Sequence, residues 1–188
     1  MNRFNNGARG QRLPDYLPWE DVQRVVCKAR IEYRVKDYFM VGALAWTGMC
    51  VSEVANLRLE NISSLEGKIK IVAGKGDKDR YVIAPEFFIN DLIYYAEKKN
   101  ITSGLLFPIG TRSIQYRIGD MSLDAIDEGV NCHKFRHSFA VNWLKKAGNL
   151  RSLQIQLGHS DLSTTAVYLK LSMQDVKEDF DRVFGMGG

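Results

Sequence analysis

Cysteine, histidine and long apolar runs are all scarce in this 188-residue chain, and each shortage closes off a class of protein. The three cysteines, Cys27, Cys50 and Cys132, are odd in number, widely spaced and form no Cys-x-x-Cys pair. Neither a disulfide framework nor a zinc site is indicated, and a reducing cytoplasm fits. The longest apolar run, Tyr38 to Trp46, is far too short to span a bilayer, and the N-terminus has no apolar signal-peptide core. A soluble, cytoplasmic protein with no membrane partner is expected. The Gly74-Lys75-Gly76 run lacks the Gly-x4-Gly-Lys-Ser/Thr spacing of a nucleotide-binding P-loop. No Asp, Glu and His cluster has ligand spacing, so neither metal nor other cofactor is expected. Internal repeats and low-complexity tracts are also missing.

What is present is enough apolar sequence, 45% of residues, for one sizeable core. A net charge of +4 permits a polyanionic partner without demonstrating one. The placement of charge says more. Lys68, Lys70, Lys75, Lys78 and Arg80 crowd into one short segment, while Asp175, Glu178, Asp179 and Asp181 gather near the C-terminus. The first group can face phosphate, and the second is unsuited to it. Residues 1–11 are polar and rich in Asn, Gly and Arg, and read as a flexible leader or linker remnant before a domain over 12–188.

Apolar spacing predicts helices in the segment opened by Pro18-Trp19-Glu20, where Val22, Val25, Val26 and Ala29 form a stripe, and from Val35 to Trp46, ended by Thr47-Gly48. A short helix is expected around Ser52 to Leu57. Alternation in Lys68-Ile69-Lys70-Ile71-Val72, a turn over 74–78 and Tyr81-Val82-Ile83 predict a small antiparallel hairpin. Helical spacing returns in Phe87 to Lys98, Ser113 to Ile118, His133 to Ala147, Leu150 to Leu157, Ser163 to Leu169 and Met173 to Phe184. The fold class is α+β, mainly helical with one small antiparallel sheet.

All three histidines fall in the final third, in His133-Lys134-Phe135-Arg136-His137 and Leu157-Gly158-His159, and Tyr168 follows nine positions after the last. On a helix His133 and Arg136 share one face, so an imidazole and a guanidinium can meet one phosphate. Taken singly, each residue has an ordinary explanation: an interior histidine, a surface ion-pair partner, a core aromatic. Taken together, H-K-F-R-H-S-F-A, L-G-H-S-D-L-S-T-T and A-V-Y-L resemble the second-arginine, second-histidine and nucleophile boxes of the tyrosine recombinase (phage integrase) family. Upstream, Thr47 to Val54 followed by Leu57 resembles its first-arginine box, and Gly74 to Arg80 its catalytic-lysine hairpin. The resemblance covers roughly residues 12–184.

The resemblance implies that fold's catalytic domain and an active-site set of Lys75, His133, Arg136, His159 and Tyr168. It implies a site-specific recombinase or integrase that cleaves and rejoins double-stranded DNA through a 3′-phosphotyrosyl intermediate. Tyr168 is the expected nucleophile. Arg136, a planar and permanently charged donor, suits the non-bridging phosphate oxygens, and His159 hydrogen bonds to the phosphate. His133 has a reference pKa suited to accepting the tyrosine proton, and Lys75 acts as the acid for the departing 5′ oxygen. By the same resemblance the chain is monomeric without DNA, forms a synaptic tetramer on it, and comes from a prokaryote or virus.

Two departures stand out. Cys50 occupies the position where relatives carry the first catalytic arginine, and a thiol is no substitute. Loss of a preorganised transition-state donor costs a factor of about 10² to 10³, and of an arginine finger about 10³ to 10⁵. Attenuated cleavage is therefore expected, through a substitution that traps the protein, recruitment of another cation such as Arg58 or Arg80, or a lineage that has lost the reaction. The second departure is length, since the family's separate N-terminal DNA-clamping domain is expected to be absent. Two other functions compete: a DNA-binding module that recognises a site without cutting, which Cys50 favours, and strand nicking and religation like that of a type IB topoisomerase, which the H-x-x-R-H and L-G-H-S boxes disfavour. Met173, Val176, Phe180, Val183 and Phe184 predict an amphipathic helix with an acidic outer face, packed on a neighbouring subunit or folded back on its own domain.

Overall fold

The computed structural model describes residues 15–72, 79–146 and 148–158. The leader, Lys75 and its turn, His159, Tyr168 and the two C-terminal helical stretches lie outside them.

Helix α1 (Trp19–Glu32) buries the expected stripe of Val22, Val25, Val26 and Ala29, and carries Glu20 and Asp21 in its first turn, where the helix dipole favours acids. Helix α2 (Val35–Thr47) is buried on nearly all sides from Asp37 to Ala45, which is why its sequence is almost continuously apolar. It ends at Gly48, in the left-handed region at φ +70. A Cβ there would come within 2.7 Å of the Phe139 ring and 2.8 Å of Leu157, so glycine is needed for conformation and for space. The buried Asp37 meets Arg117 of α5 (Thr111–Ile126), whose Nη1 lies 3.3 Å from both carboxylate oxygens.

After α3 (Val51–Ala55) and a 3-10 turn at Leu59–Asn61 comes a three-stranded antiparallel sheet. Its strands are β1 (Ile62–Ser63), β2 (Lys68–Ile71) and β3 (Arg80–Ile83), in the order β1-β2-β3. Ile69 pairs with both Ile62 and Val82, and the alternation turns Ile69, Ile71 and Val82 inward. The hairpin is thus as expected, with one further strand whose two residues are too short to show a period.

Helix α4 (Glu86–Lys98) sets Phe88 against Phe39 and Trp46, with ring centroids 6.0 and 5.0 Å apart, and Tyr95 against Phe39 at 5.1 Å. Helix α5 runs well beyond the expected Ser113 to Ile118, because Met121 continues the Ile114 and Ile118 stripe and the buried Ser122 hydroxyl donates to the Ile118 carbonyl at 2.9 Å. Helix α6 (Cys132–Lys145) starts at the N-cap Asn131, whose side chain accepts from the Lys134 N–H at 3.0 Å. Helix α7 (Leu150–Leu157) starts at Asn149, which accepts from two N–H groups, and ends at Gly158, φ +70. One large core joins α1 to α5 with the sheet, and a smaller one of Phe139, Ala140, Val141, Leu144, Leu153 and Leu157 seals α7 onto α6. Among the described residues no helix is long and apolar enough to cross a membrane.

Candidate active site

Position 50 is the N-cap of α3, and its backbone N–H donates to Glu53 Oε2 at 2.8 Å. An acid three residues after an N-cap satisfies a donor the helix leaves open, so Glu53 has a local reason to point back at Cys50. The Cys50 Sγ lies 3.0 Å from Ser52 Oγ. The other oxygen of Glu53 accepts from Arg80 Nη1 at 2.5 Å. Burial pushes the Glu53 carboxyl up, but the Arg80 hydrogen bond and charge, the Cys50 N–H and the charge of Arg136 outweigh it and hold it below its ordinary 4.5.

Arg136 sits one turn into α6 and is only 9% exposed. Its Nη1 donates to the Gly48 carbonyl at 2.7 Å and its Nη2 to the Leu157 carbonyl at 2.6 Å. It is an interior residue, not a surface one. One planar guanidinium spans the turn after α2 and the last residue of α7, and so joins segments remote in sequence. Gln156 adds a second tie: its Nε2 donates to the carbonyls of Thr47 at 3.0 Å and Ile83 at 2.8 Å, while its Oε1 accepts from the Ile83 N–H at 2.9 Å.

His133 lies on the first turn of α6 with its ring open to solvent. It lines a cavity of about 540 Å³ together with Cys50, Val51, Cys132 and His137. The His137 ring stands edge-on to it, with centroids 4.2 Å apart. Partial desolvation, and then the charge of Arg136, lower the His133 pKa from 6.5, which favours the neutral ring, the form able to accept a proton. Lys134 also borders the cavity but is engaged by Asp15 at 2.9 Å and Glu128 at 2.6 Å. Burial pushes the Cys132 thiol up to about 11, which makes it inert.

Of the expected site residues, the structure therefore brings Cys50, His133 and Arg136 to one region; Lys75, His159 and Tyr168 lie outside the described residues. Leu157 and Gly158, which Arg136 and Arg80 touch, immediately precede His159 in the chain. Sequence reading missed Glu53, Gln156 and His137. The acid at the third helical position and the i, i+4 histidine pair were the available signals for Glu53 and His137, and Gln156 had none. Among the described residues no group of three or more His, Cys, Asp or Glu side chains is placed to hold a metal.

The family model described as the phage integrase family matches residues 15–175. The chain belongs to that family. This integrase-family chain is 29% identical over 188 residues to the tyrosine recombinase XerA of Pyrococcus furiosus, an alignment covering 96% of the chain and 65% of the relative. The crystal structure of XerA recombinase superposes with a TM-score of 0.78 at 30% identity, covering 92% of this chain and 66% of that one. The XerH site-specific recombinase bound to difH substrate, a pre-cleavage complex, superposes with a TM-score of 0.73 at 25% identity, covering 84% and 50%. The integrase-family chain thus spans less than two thirds of the length of these proteins.

Proposed function

We propose that this chain cleaves and rejoins double-stranded DNA at specific sites through a 3′-phosphotyrosyl bond to Tyr168, at a rate reduced by Cys50. The observation that carries this reading is Arg136, buried between the carbonyls of Gly48 and Leu157. It unites the segment holding position 50 with the segment leading to His159, around a charge suited to a pentavalent phosphate. Arg136 and His159 grip the non-bridging oxygens, neutral His133 takes the tyrosine proton, and Lys75 protonates the 5′ oxygen as it leaves. The XerH complex with its difH substrate supports DNA as the partner. Assembly into a synaptic tetramer belongs to the same proposal.

A nicked suicide duplex traps such an intermediate, because the short cleaved strand diffuses away before rejoining. A pool with randomised arms allows for an unidentified target. The expected result is a protein–DNA adduct that Tyr168→Phe abolishes. Absence of any adduct from both this chain and its Cys50→Arg variant overturns the reading. Cys50 favours a second function, site recognition without cutting, for which Cys50→Arg changes affinity alone.

A further inference from the structure

Besides Arg136, Arg58 and Arg80 are cations near the first-arginine box among the described residues, and their surroundings differ. Arg58 is about half exposed, its Nε paired with Glu60 at 2.7 Å. Glu60 in turn accepts from the Gly104 N–H at 2.8 Å, which fixes this pair to a surface loop. Arg80 is mostly covered and turns toward position 50. One oxygen of Glu53 holds its Nη1 and the other holds the Cys50 N–H, so a single carboxylate sets this guanidinium beside the residue where an arginine is missing.

The opposite flank of Arg80 lies on Gly158. A Cβ at Gly158 would fall 2.5 Å from Arg80 Cδ and Nε and 2.8 Å from Cζ, so the contact exists only because position 158 is glycine. The preceding carbonyl, of Leu157, is held by Arg136. Arg80 and Arg136 thus approach the same corner, and both lower the Glu53 carboxyl.

Nε and Nη2 of Arg80 are shut off from water and have no hydrogen-bond partner among the described residues. An unpaired buried donor is costly, and more so when it is charged. These two nitrogens form one edge of the guanidinium, the pair of parallel donors that matches two phosphate oxygens. Glu53 occupies the other end and leaves this edge for an anion.

We propose that Arg80 is the second phosphate-binding guanidinium of this chain, supplying the charge that Cys50 lacks and presenting its Nε and Nη2 edge to the scissile phosphate. The proposal rests on the strand-cleavage reading above. Because that edge is covered in the DNA-free chain, the side chain shifts toward the cavity as the phosphate enters, while Nη1 keeps its hold on Glu53. No proton or bond changes hands at Arg80. It stabilises charge.

The test is a double-mutant cycle on the full chain, using nicked duplexes with randomised arms as probe and Tyr168→Phe as blank. Arg80→Lys keeps a charge for Glu53 but loses the two-pronged edge. It is expected to lower adduct formation by about 10² in the native Cys50 background and by less than about tenfold beside Cys50→Arg, which fills the same role. An equal loss in both backgrounds means that Arg80 serves the fold alone and overturns the proposal. Blank lanes for every protein overturn the cleavage reading and this proposal with it, an outcome distinct from the equal loss. If Arg80→Lys does not melt cooperatively, the Arg80 Nε–H resonance of the unsubstituted protein is titrated with inorganic phosphate. A saturable shift supports the proposal, and an unmoved resonance overturns it.

Discussion

The side-chain amide of Gln156 pairs with both backbone groups of Ile83, donating to its carbonyl at 2.8 Å and accepting from its N–H at 2.9 Å. Among the described residues β3 is an edge strand, and Gln156 satisfies Ile83 as a further strand would, which ties α7 to the sheet. The same Nε2 reaches Thr47 at the end of α2. The end of α2, strand β3 and α7 are therefore held in register by one neutral amide.

Gln156→Leu keeps the size of the side chain and removes all three bonds. Leaving buried backbone groups unpaired costs about 1–3 kcal/mol, so urea unfolding is expected to show a loss of that order. A change below about 0.5 kcal/mol would mean that water replaces the amide freely.

Cys50→Arg is expected to raise covalent DNA attachment by about an order of magnitude, measured on suicide duplexes. The gain stays far below the roughly 10³ to 10⁵ associated with an arginine finger because Arg80 already supplies part of the charge. Equal attachment by both proteins would show that Arg80 fills the role completely.

The His133 imidazole is expected to titrate below 6.5 when followed by proton NMR, since desolvation and Arg136 both disfavour the imidazolium. Cleavage that uses neutral His133 as base therefore rises with pH through that lowered midpoint and levels off above it. Arg136→Gln removes the smaller cause and moves the midpoint part of the way back up. An unmoved midpoint would show that the Arg136 charge does not reach the ring.

Glu53 has a lowered pKa in the folded state, so the unfolded chain takes up its proton first as pH falls. Its contribution to stability is fully present above its ordinary 4.5 and is lost as pH drops through the folded-state value. Glu53→Gln is expected to be less stable than the unsubstituted protein at pH 7, by about 1–3 kcal/mol. The gap closes as the solution is acidified, and a gap independent of pH would rule out the Arg80 ion pair as its source.

Gly158→Ala combines the strain of a left-handed residue with a collision against Arg80. Its melting temperature is expected to fall, and the loss to shrink when Arg80→Ala is present, because the collision disappears and only the backbone strain remains. Purely additive effects would place Arg80 away from Gly158.

The amino-acid order alone determined the local elements and the chemical inventory. The stripe of Val22, Val25, Val26 and Ala29, the glycine stop at Gly48 and the alternation through Ile69 and Ile71 are properties of neighbours along the chain, and propensity and period suffice to read them. The boxes around Cys50, Arg136 and His159 were legible for the same reason, since each is a short run of consecutive residues. Strand β1 was not, because two residues carry no period, and α5 was read short although Met121 continues the stripe of Ile114 and Ile118, because Gly119, Asp120, Ser122 and Asp124 surround it in the sequence. Which groups face one another was decided only by tertiary packing. His133 and Arg136 share a helix turn, yet one opens to solvent while the other is buried between Gly48 and Leu157, because α2 and α7 close over one side of α6. Glu53 meets Arg80 across 27 residues, and Gln156 meets Ile83 across 73. Such contacts depend on how helices and sheet pack, and no local pattern encodes them.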